Sequence, residues 1–318
     1  MKIVDLDAHA VNPGDLSWEQ FENFGELIIY ERTPQEEVVN RAKDADAILI
    51  NKIKITSEIL EQLPKLRYIG ELATGYNNID LVAASQRNIV VSNIPAYSTM
   101  SVAQHAFALL LNVTNSVSHY AKESRSGVWS HCPDFCYWNT PLLELAGKTI
   151  GIVGFGNIGR QVAQIAHAFG MEVIAATSKT IGSLPDYVKK STIEGLFASS
   201  DVISLHCPLT NDNFHFINEK AISFMRKGVI LINTARGALI DTNAVAKALS
   251  SGHIGAYCAD VMEEEPPVEQ TSILSAPNAF ITPHIAWASR AARLRLMDIA
   301  VDNLKAFLEG KPKNQVNA

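Results

Sequence analysis

Gly154-Phe155-Gly156-Asn157-Ile158-Gly159 restricts the fold of this chain more than any other stretch. Three glycines at this spacing also recur by chance in loops, so the flanks decide. Ile150-Gly151-Ile152-Val153 comes directly before and reads as a buried strand; an amphipathic helical pattern comes directly after. A second strand candidate, Glu172–Ala176, completes a β-α-β unit. In such a unit Gly154 permits the tight turn, Gly156 lets the backbone approach a pyrophosphate, and Gly159 lets the helix pack close to the strand. The unpaired N–H groups and the helix dipole then bind the anion. The whole turn, with Phe155, Asn157 and Ile158 between the glycines, is therefore read as a dinucleotide-binding turn.

The same β-then-α rhythm runs along the chain. Before the glycine turn, Lys2–Leu6, Glu26–Ile29, Ala47–Ile50, Arg67–Gly70 and Ile89–Val91 read as strands. After it come Val202–Leu205, Val229–Ile232, Ile254–Ala259 and Ala279–Ile281, with Thr149–Val153 opening the series. Strands alternating with helices predict parallel sheets covered on both faces. Thr33, Pro34 and Glu36 predict a capped helix running to about Lys43. Ser98 opens a long helix expected from about Thr99 to Lys122, and a last helix is expected from Ser289 to Glu309. Between Gly127 and Leu142 lies an aperiodic stretch holding Trp129, Phe135, Tyr137 and Trp138, long enough to suggest a functional or interface arm. A length of 318 residues suits about two domains of roughly 150 residues each.

Composition removes other classes. With 47% hydrophobic and 19% charged residues the chain is an ordinary globular mix. Its net charge of -6 argues against a general nucleic-acid binder. No apolar run approaches a membrane span, the N-terminus carries acids where a signal peptide needs an apolar core, and four cysteines make no disulfide framework. A cytoplasmic setting follows as the expectation. His131, Cys132 and Cys136 are close in sequence but lack an evident fourth ligand, so no metal is assigned.

A dinucleotide needs a redox partner, and three segments at strand ends offer ionisable groups: Asn233-Thr234-Ala235-Arg236-Gly237, Asp260 to Pro266, and Thr282-Pro283-His284. Ligands of doubly wound sheets bind beyond the carboxyl ends of strands. Arg236 offers a planar fork for a substrate carboxylate. His284 is a proton carrier suited to neutral pH, and a carboxylate partner would orient it and favour its charged form. At the end of the second strand, where a carboxylate would hold a ribose hydroxyl, the chain has Thr177-Ser178-Lys179 and no acid from Val173 to Pro185. Hydroxyls and an ammonium tolerate or attract a 2′-phosphate, so NADP is mildly favoured over NAD.

These segments together, in this order, resemble the D-isomer-specific 2-hydroxyacid dehydrogenases over nearly the whole chain. Glu71-Leu72-Ala73-Thr74-Gly75-Tyr76-Asn77-Asn78-Ile79-Asp80 is similar to that family's substrate loop, and His206-Cys207-Pro208-Leu209-Thr210 to the stretch that walls its cofactor. Asp134-Phe135-Cys136-Tyr137-Trp138 and Thr177-Ser178-Lys179 look most like glycerate dehydrogenases, also called hydroxypyruvate reductases.

The resemblance implies two doubly wound parallel-sheet domains with a cleft between them. Residues 1–98 and 290–318 would form a flavodoxin-like substrate domain. Residues 99–289 would form the Rossmann cofactor domain, with a dimerisation helix and arm over 99–145. It implies Thr74, Gly75 and Arg236 on the substrate carboxylate, His284 as acid and base, and Glu265 as its partner. The cofactor would lie against the glycine turn, Thr177–Lys179, Cys207, Pro208, Thr234, Ala235 and Asp260, and the chain would be a homodimer. Tyr76, Met100, Trp138 and Trp287 are all left as pocket candidates. Hydroxypyruvate with D-glycerate, or glyoxylate with glycolate, is the expected pair; a D-lactate-type enzyme and a dinucleotide-sensing corepressor are the alternatives.

Overall fold

The structure, a computed structural model, describes residues 1–267 and 271–317. It divides into two compact units: Met1–Ser98 with the segment from Ala288 onward, and Thr99–Trp287.

The first unit carries β1 (Lys2–Asp5), β2 (Glu26–Ile29), β3 (Ala47–Ile50), β4 (Tyr68–Glu71) and β5 (Val90–Ser92). They form one parallel sheet in the order β2-β1-β3-β4-β5, the flavodoxin-like arrangement. Val4, Ile48, Ile50 and Ile69 face one core with Leu60 and Leu63. On the other side the helix Arg290–Leu308 packs on β4, where Phe307 lies 4.9 Å from the Tyr68 ring. Ser289 caps that helix by accepting a hydrogen bond from Ala292 N.

The second unit carries β6 (Thr149–Val153), β7 (Glu172–Ala176), β8 (Val188–Lys190), β9 (Val202–Leu205), β10 (Val229–Asn233), β11 (Ile254–Ala259) and β12 (Ala279–Ile281). All are parallel, in the order β12-β11-β10-β9-β6-β7-β8. The order reverses between β6 and β9, and that switch point is where such sheets bind ligands. One face of the sheet is covered by the helices Thr99–Asn115 and Asn157–Ala168, through Ala103, Phe107, Leu110, Val162 and Ala166. The other is covered by Leu196, Ile222, Val245 and Leu249 from the remaining helices.

Three expectations need correction. The strand β8 was not expected; its edge position leaves Lys189 and Lys190 exposed, so it lacks the apolar run of its neighbours. Thr33 does not cap a helix: Pro34 stays extended, Gln35–Glu37 is a 3-10 turn, and the α-helix covers only Val38–Ala42. The Thr33 hydroxyl instead accepts from Arg41 Nη1 at 2.9 Å. The long helix breaks at Ser116, whose φ of 49° ends Thr99–Asn115 and starts a second helix, Val117–Arg125. Neither Gly nor Pro marks that break.

Candidate active site

Because every strand of the larger sheet is parallel, the segments after β6, β7, β9, β10, β11 and β12 all emerge at one edge. The sequence-predicted cofactor and proton-transfer groups of this unit lie there. At the glycine turn, Gly154 has φ 91°, and a Cβ on it would strike the backbone of His206 and Cys207. A Cβ on Gly159 would strike the Gly154 carbonyl, so helix and turn touch. Gly156, by contrast, has open space around its Cβ position, and the helix Asn157–Ala168 that it opens has no side-chain cap. The helix N-terminus thus presents uncapped N–H groups at an accessible backbone, which suits an anionic pyrophosphate. Phe155 is buried beneath the turn, whereas Asn157 is exposed and Ile158 half-buried.

Around this turn, Gly154 N donates to Ala176 O at 3.0 Å, which brings the end of β7 alongside. The Thr177 hydroxyl accepts from Lys179 N at 3.2 Å, and Ser178 and Lys179 are exposed. A residue missed in the sequence joins them: Lys190 of β8 donates from Nζ to the Lys179 carbonyl at 2.6 Å. Only the sheet order shows this, because 11 residues separate the two lysines. On the other side, Cys207 is half-buried and Pro208 exposed, and His206 hydrogen-bonds Ser204 Oγ through Nε2 at 2.8 Å. Burial holds the His206 imidazole down at about 4, so it is neutral. The Thr234 hydroxyl is buried with no partner among the described residues, leaving a polar atom to be satisfied where a ligand would lie.

His284 and its neighbours form a compact group. His284 Nδ1 lies 2.6 Å from Glu265 Oε2, and Glu265 Oε1 accepts from Met262 N at 2.9 Å. With Nδ1 committed, Nε2 is the nitrogen left for a substrate. His284 has φ 54°, a left-handed conformation rarely taken by non-glycine residues, and its own N–H bonds Thr282 O at 2.9 Å. Asp260 shapes this turn. It is 1% exposed, and Oδ1 accepts from the Thr282 hydroxyl and Ile285 N while Oδ2 accepts from Ala286 N. Both of its oxygens are thus engaged within the protein, beside the turn rather than facing out. Trp287 Nε1 donates to His284 O at 2.9 Å, which puts this pocket candidate against the histidine backbone.

Arg236 is exposed, and its guanidinium donates from Nη1 to the Ala235 carbonyl at 2.8 Å. Asp241 caps the helix Thr242–Ser250, accepting from Asn243 N and Ala244 N. The turn is shaped by Asn233, which accepts from Ala235 N and donates to Arg236 O. A Cβ on Gly237 would strike the Met262–Glu263 backbone. The arginine turn therefore packs on the segment carrying Glu265. A second pair clamps that segment: His215 Nε2 lies 3.0 Å from Glu263 Oε2, and His215 N donates to Ala238 O. Among the described residues no cluster of three or more His, Cys, Asp or Glu could hold a metal ion.

Thr74 and Gly75 belong to the first unit. Leu72, Ala73 and Thr74 turn their carbonyls inward, to Asn51 Nδ2 (2.7 Å), Ile94 N (2.9 Å) and Asn93 Nδ2 (2.8 Å). The N–H groups of Thr74 and Gly75 have no acceptor among the described residues. Asn51 and Asn93, invisible as functional residues in the sequence, hold this loop.

A model of the D-isomer specific 2-hydroxyacid dehydrogenase NAD binding domain matches residues 107–286. A hydroxypyruvate reductase of Blautia hydrogenotrophica is 44% identical, with 100% of each chain covered. A glycerate dehydrogenase of Methylorubrum extorquens is 38% identical, covering 100% of this chain and 99% of that one. A crystal structure of D-lactate dehydrogenase from Aquifex aeolicus, complexed with NAD and lactic acid, is 31% identical. It aligns over 98% of this chain and 96% of that one, with a TM-score of 0.82. Fold, glycine turn and relatives converge: the chain belongs to the D-isomer-specific 2-hydroxyacid dehydrogenases, NAD(P)-dependent oxidoreductases that act on a CH–OH group.

Proposed function

We propose that this enzyme interconverts hydroxypyruvate and D-glycerate, with glyoxylate as a second keto acid. The observation that carries the reading is the 2.6 Å contact of His284 Nδ1 with Glu265 Oε2, which leaves Nε2 for a keto oxygen. The relatives named for hydroxypyruvate and glycerate supply the substrate class. Arg236 takes the substrate carboxylate, and the N–H groups of Thr74 and Gly75 are assigned to the same carboxylate by the family resemblance. Such charge-assisted bonds contribute roughly 1.5–3 kcal/mol each, and their larger role is to hold C2 in a reactive position. His284 holds the proton at Nε2 and gives it to the keto oxygen in reduction; in oxidation the neutral ring takes it back. Glu265 stabilises the imidazolium and keeps Nε2 pointed outward. The nicotinamide, when bound, supplies the hydride to C2 or accepts it. Turnover of a panel of 2-keto acids with NADH and NADPH tests this: hydroxypyruvate should give the highest kcat/KM, and pyruvate outranking it would move the enzyme to the D-lactate type.

For the cofactor, the hydroxyls of Thr177 and Ser178 with Lys179 and Lys190 support NADPH, at about tenfold over NADH. At about 4 Å a charge pair is worth roughly 1 kcal/mol in water, which is near that factor. The enzyme is read as a cytoplasmic homodimer. The arm supports the dimer: Phe135 is 90% exposed and Trp138 70%, although Tyr137 is anchored on its own chain by a 2.8 Å bond to Glu123 Oε2. Large aromatics left outward at the tip of an anchored arm suit a second copy. A monomer at micromolar concentration by light scattering would refute the dimer.

A further inference from the structure

A trans peptide holds its carbonyl and the following N–H on opposite sides of one plane. Whatever grips a carbonyl therefore aims the next N–H the other way. In the loop after β4, Ile94 N grips Ala73 O and so aims Thr74 N–H; Asn93 Nδ2 grips Thr74 O at 2.8 Å and so aims Gly75 N–H. Asn93 is itself held from behind. Its carbonyl accepts from Asn303 Nδ2 at 2.9 Å, and its N–H donates to Asn314 O at 3.1 Å. Asn314 Nδ2 then closes the circuit on Asn303 Oδ1 at 2.8 Å.

Asn303 sits inside the last helix and is 1% exposed, while Asn93 is 8% exposed. An amide in a helix core costs stability unless both its ends are bonded. Here both ends are bonded, and both bonds lead toward the loop rather than along the helix. The C-terminal segment is fastened to the same strand: Ser92 Oγ donates to Lys313 O at 2.9 Å and Val316 N to Val91 O at 2.9 Å.

We propose that Asn93, Asn303 and Asn314 form a buried amide relay by which the C-terminal helix and tail position the Thr74 and Gly75 N–H groups, so that Asn303 and Asn314 set keto-acid affinity without touching substrate. This rests on the reading of those two N–H groups as carboxylate donors. A relay that only orients donors affects binding of the carboxylate and leaves proton transfer at His284 alone. Removing Asn93's grip frees the Thr74–Gly75 peptide to rotate and weakens one charge-assisted bond, a loss of about tenfold or more. Asn303 and Asn314 act one step further back, so about three- to tenfold is expected.

The test uses Asn93→Ser, Asn303→Leu and Asn314→Ala in the full chain. It measures KM for hydroxypyruvate, kcat, and the Kd of NADH and NADPH. It also follows hydrogen exchange over residues 72–78 with and without oxamate, an unreactive carboxylate analogue, in the presence of cofactor. The relay predicts raised KM in all three variants, kcat within about twofold, cofactor Kd unchanged, and weaker protection of the loop by oxamate. If Asn303→Leu does not fold, Asn314→Ala decides, because it removes only the outer link. Unchanged KM and unchanged protection in folded Asn93→Ser and Asn314→Ala would overturn the relay. If oxamate fails to protect Thr74 and Gly75 even in the unaltered enzyme, the carboxylate assignment itself is wrong. The two failures are thereby distinguished.

Discussion

Glu71 closes β4 at the root of the loop that carries Thr74 and Gly75, and its carboxyl is wholly buried. Oε2 accepts from Asn78 Nδ2 at 3.0 Å, while Oε1 has no partner among the described residues. Burial, with the nearby Asp7 adding to it, pushes this carboxyl up from 4.5 to about 9. The folded protein thus keeps a proton on Glu71 at neutral pH that the unfolded chain releases above pH 4.5. Since the unfolded state binds fewer protons over that window, stability falls as pH rises from about 4.5 toward 9. Each pH unit is worth about 1.36 kcal/mol per proton, so from pH 5.5 to 8.5 the ceiling is about 4 kcal/mol. Glu71→Gln keeps an oxygen for Asn78 and has no proton to lose. Asp5 and Asp7, also raised by burial, remain in both proteins and cancel in the comparison. The variant's advantage in Tm should therefore grow with pH, at roughly 2–4 °C per kcal/mol for a protein of this size class. A gain at least 5 °C larger at pH 8.5 than at pH 5.5, by calorimetry, is expected. A difference in Tm that stays constant across that range would refute the assignment of a neutral buried acid.

Three further outcomes follow from the site. Glu265→Gln should lower kcat for keto-acid reduction several-fold with the Kd of NADH and NADPH unchanged, because the His284 ring loses the carboxylate held 2.6 Å from its Nδ1; an unchanged kcat would count against the pair. Lys179→Ala should reduce kcat/KM for NADPH by up to about tenfold and leave the NADH value unchanged, whereas equal losses for both cofactors would place Lys179 in general binding. His215→Ala removes the clamp on the segment carrying Glu265, so kcat should fall several-fold with KM nearly unchanged, and a change confined to KM would show that the clamp serves substrate binding instead.

How much of this was legible in the sequence depended on whether the information was local. Strands buried on both faces announce themselves as apolar runs, so β6, β9 and β11 sit where the pattern puts them. An edge strand with two exposed lysines has no such run, and β8 was missed along with Lys190. The glycine turn was readable because its three glycines each meet a steric demand of the βαβ unit. The break at Ser116 was not, since a left-handed residue without Gly or Pro leaves no local mark. His284 and Glu265 stood out as ionisable groups after strands, but their 2.6 Å approach depends on Asp260 folding the 282–286 turn. Buried amides were the most hidden of all. Asn51, Asn93 and Asn303 look like ordinary polar residues until the fold places each against a particular carbonyl.

His284 is the central assignment, the group proposed to move the proton. In His284→Ala, kcat for hydroxypyruvate reduction should fall by roughly 10²–10⁴-fold, the usual contribution of a positioned acid. Circular dichroism and the Kd for NADH and NADPH should be unchanged, since the glycine turn and its neighbours are untouched. A folded variant that binds cofactor normally and still reduces hydroxypyruvate at a near-normal rate would contradict it.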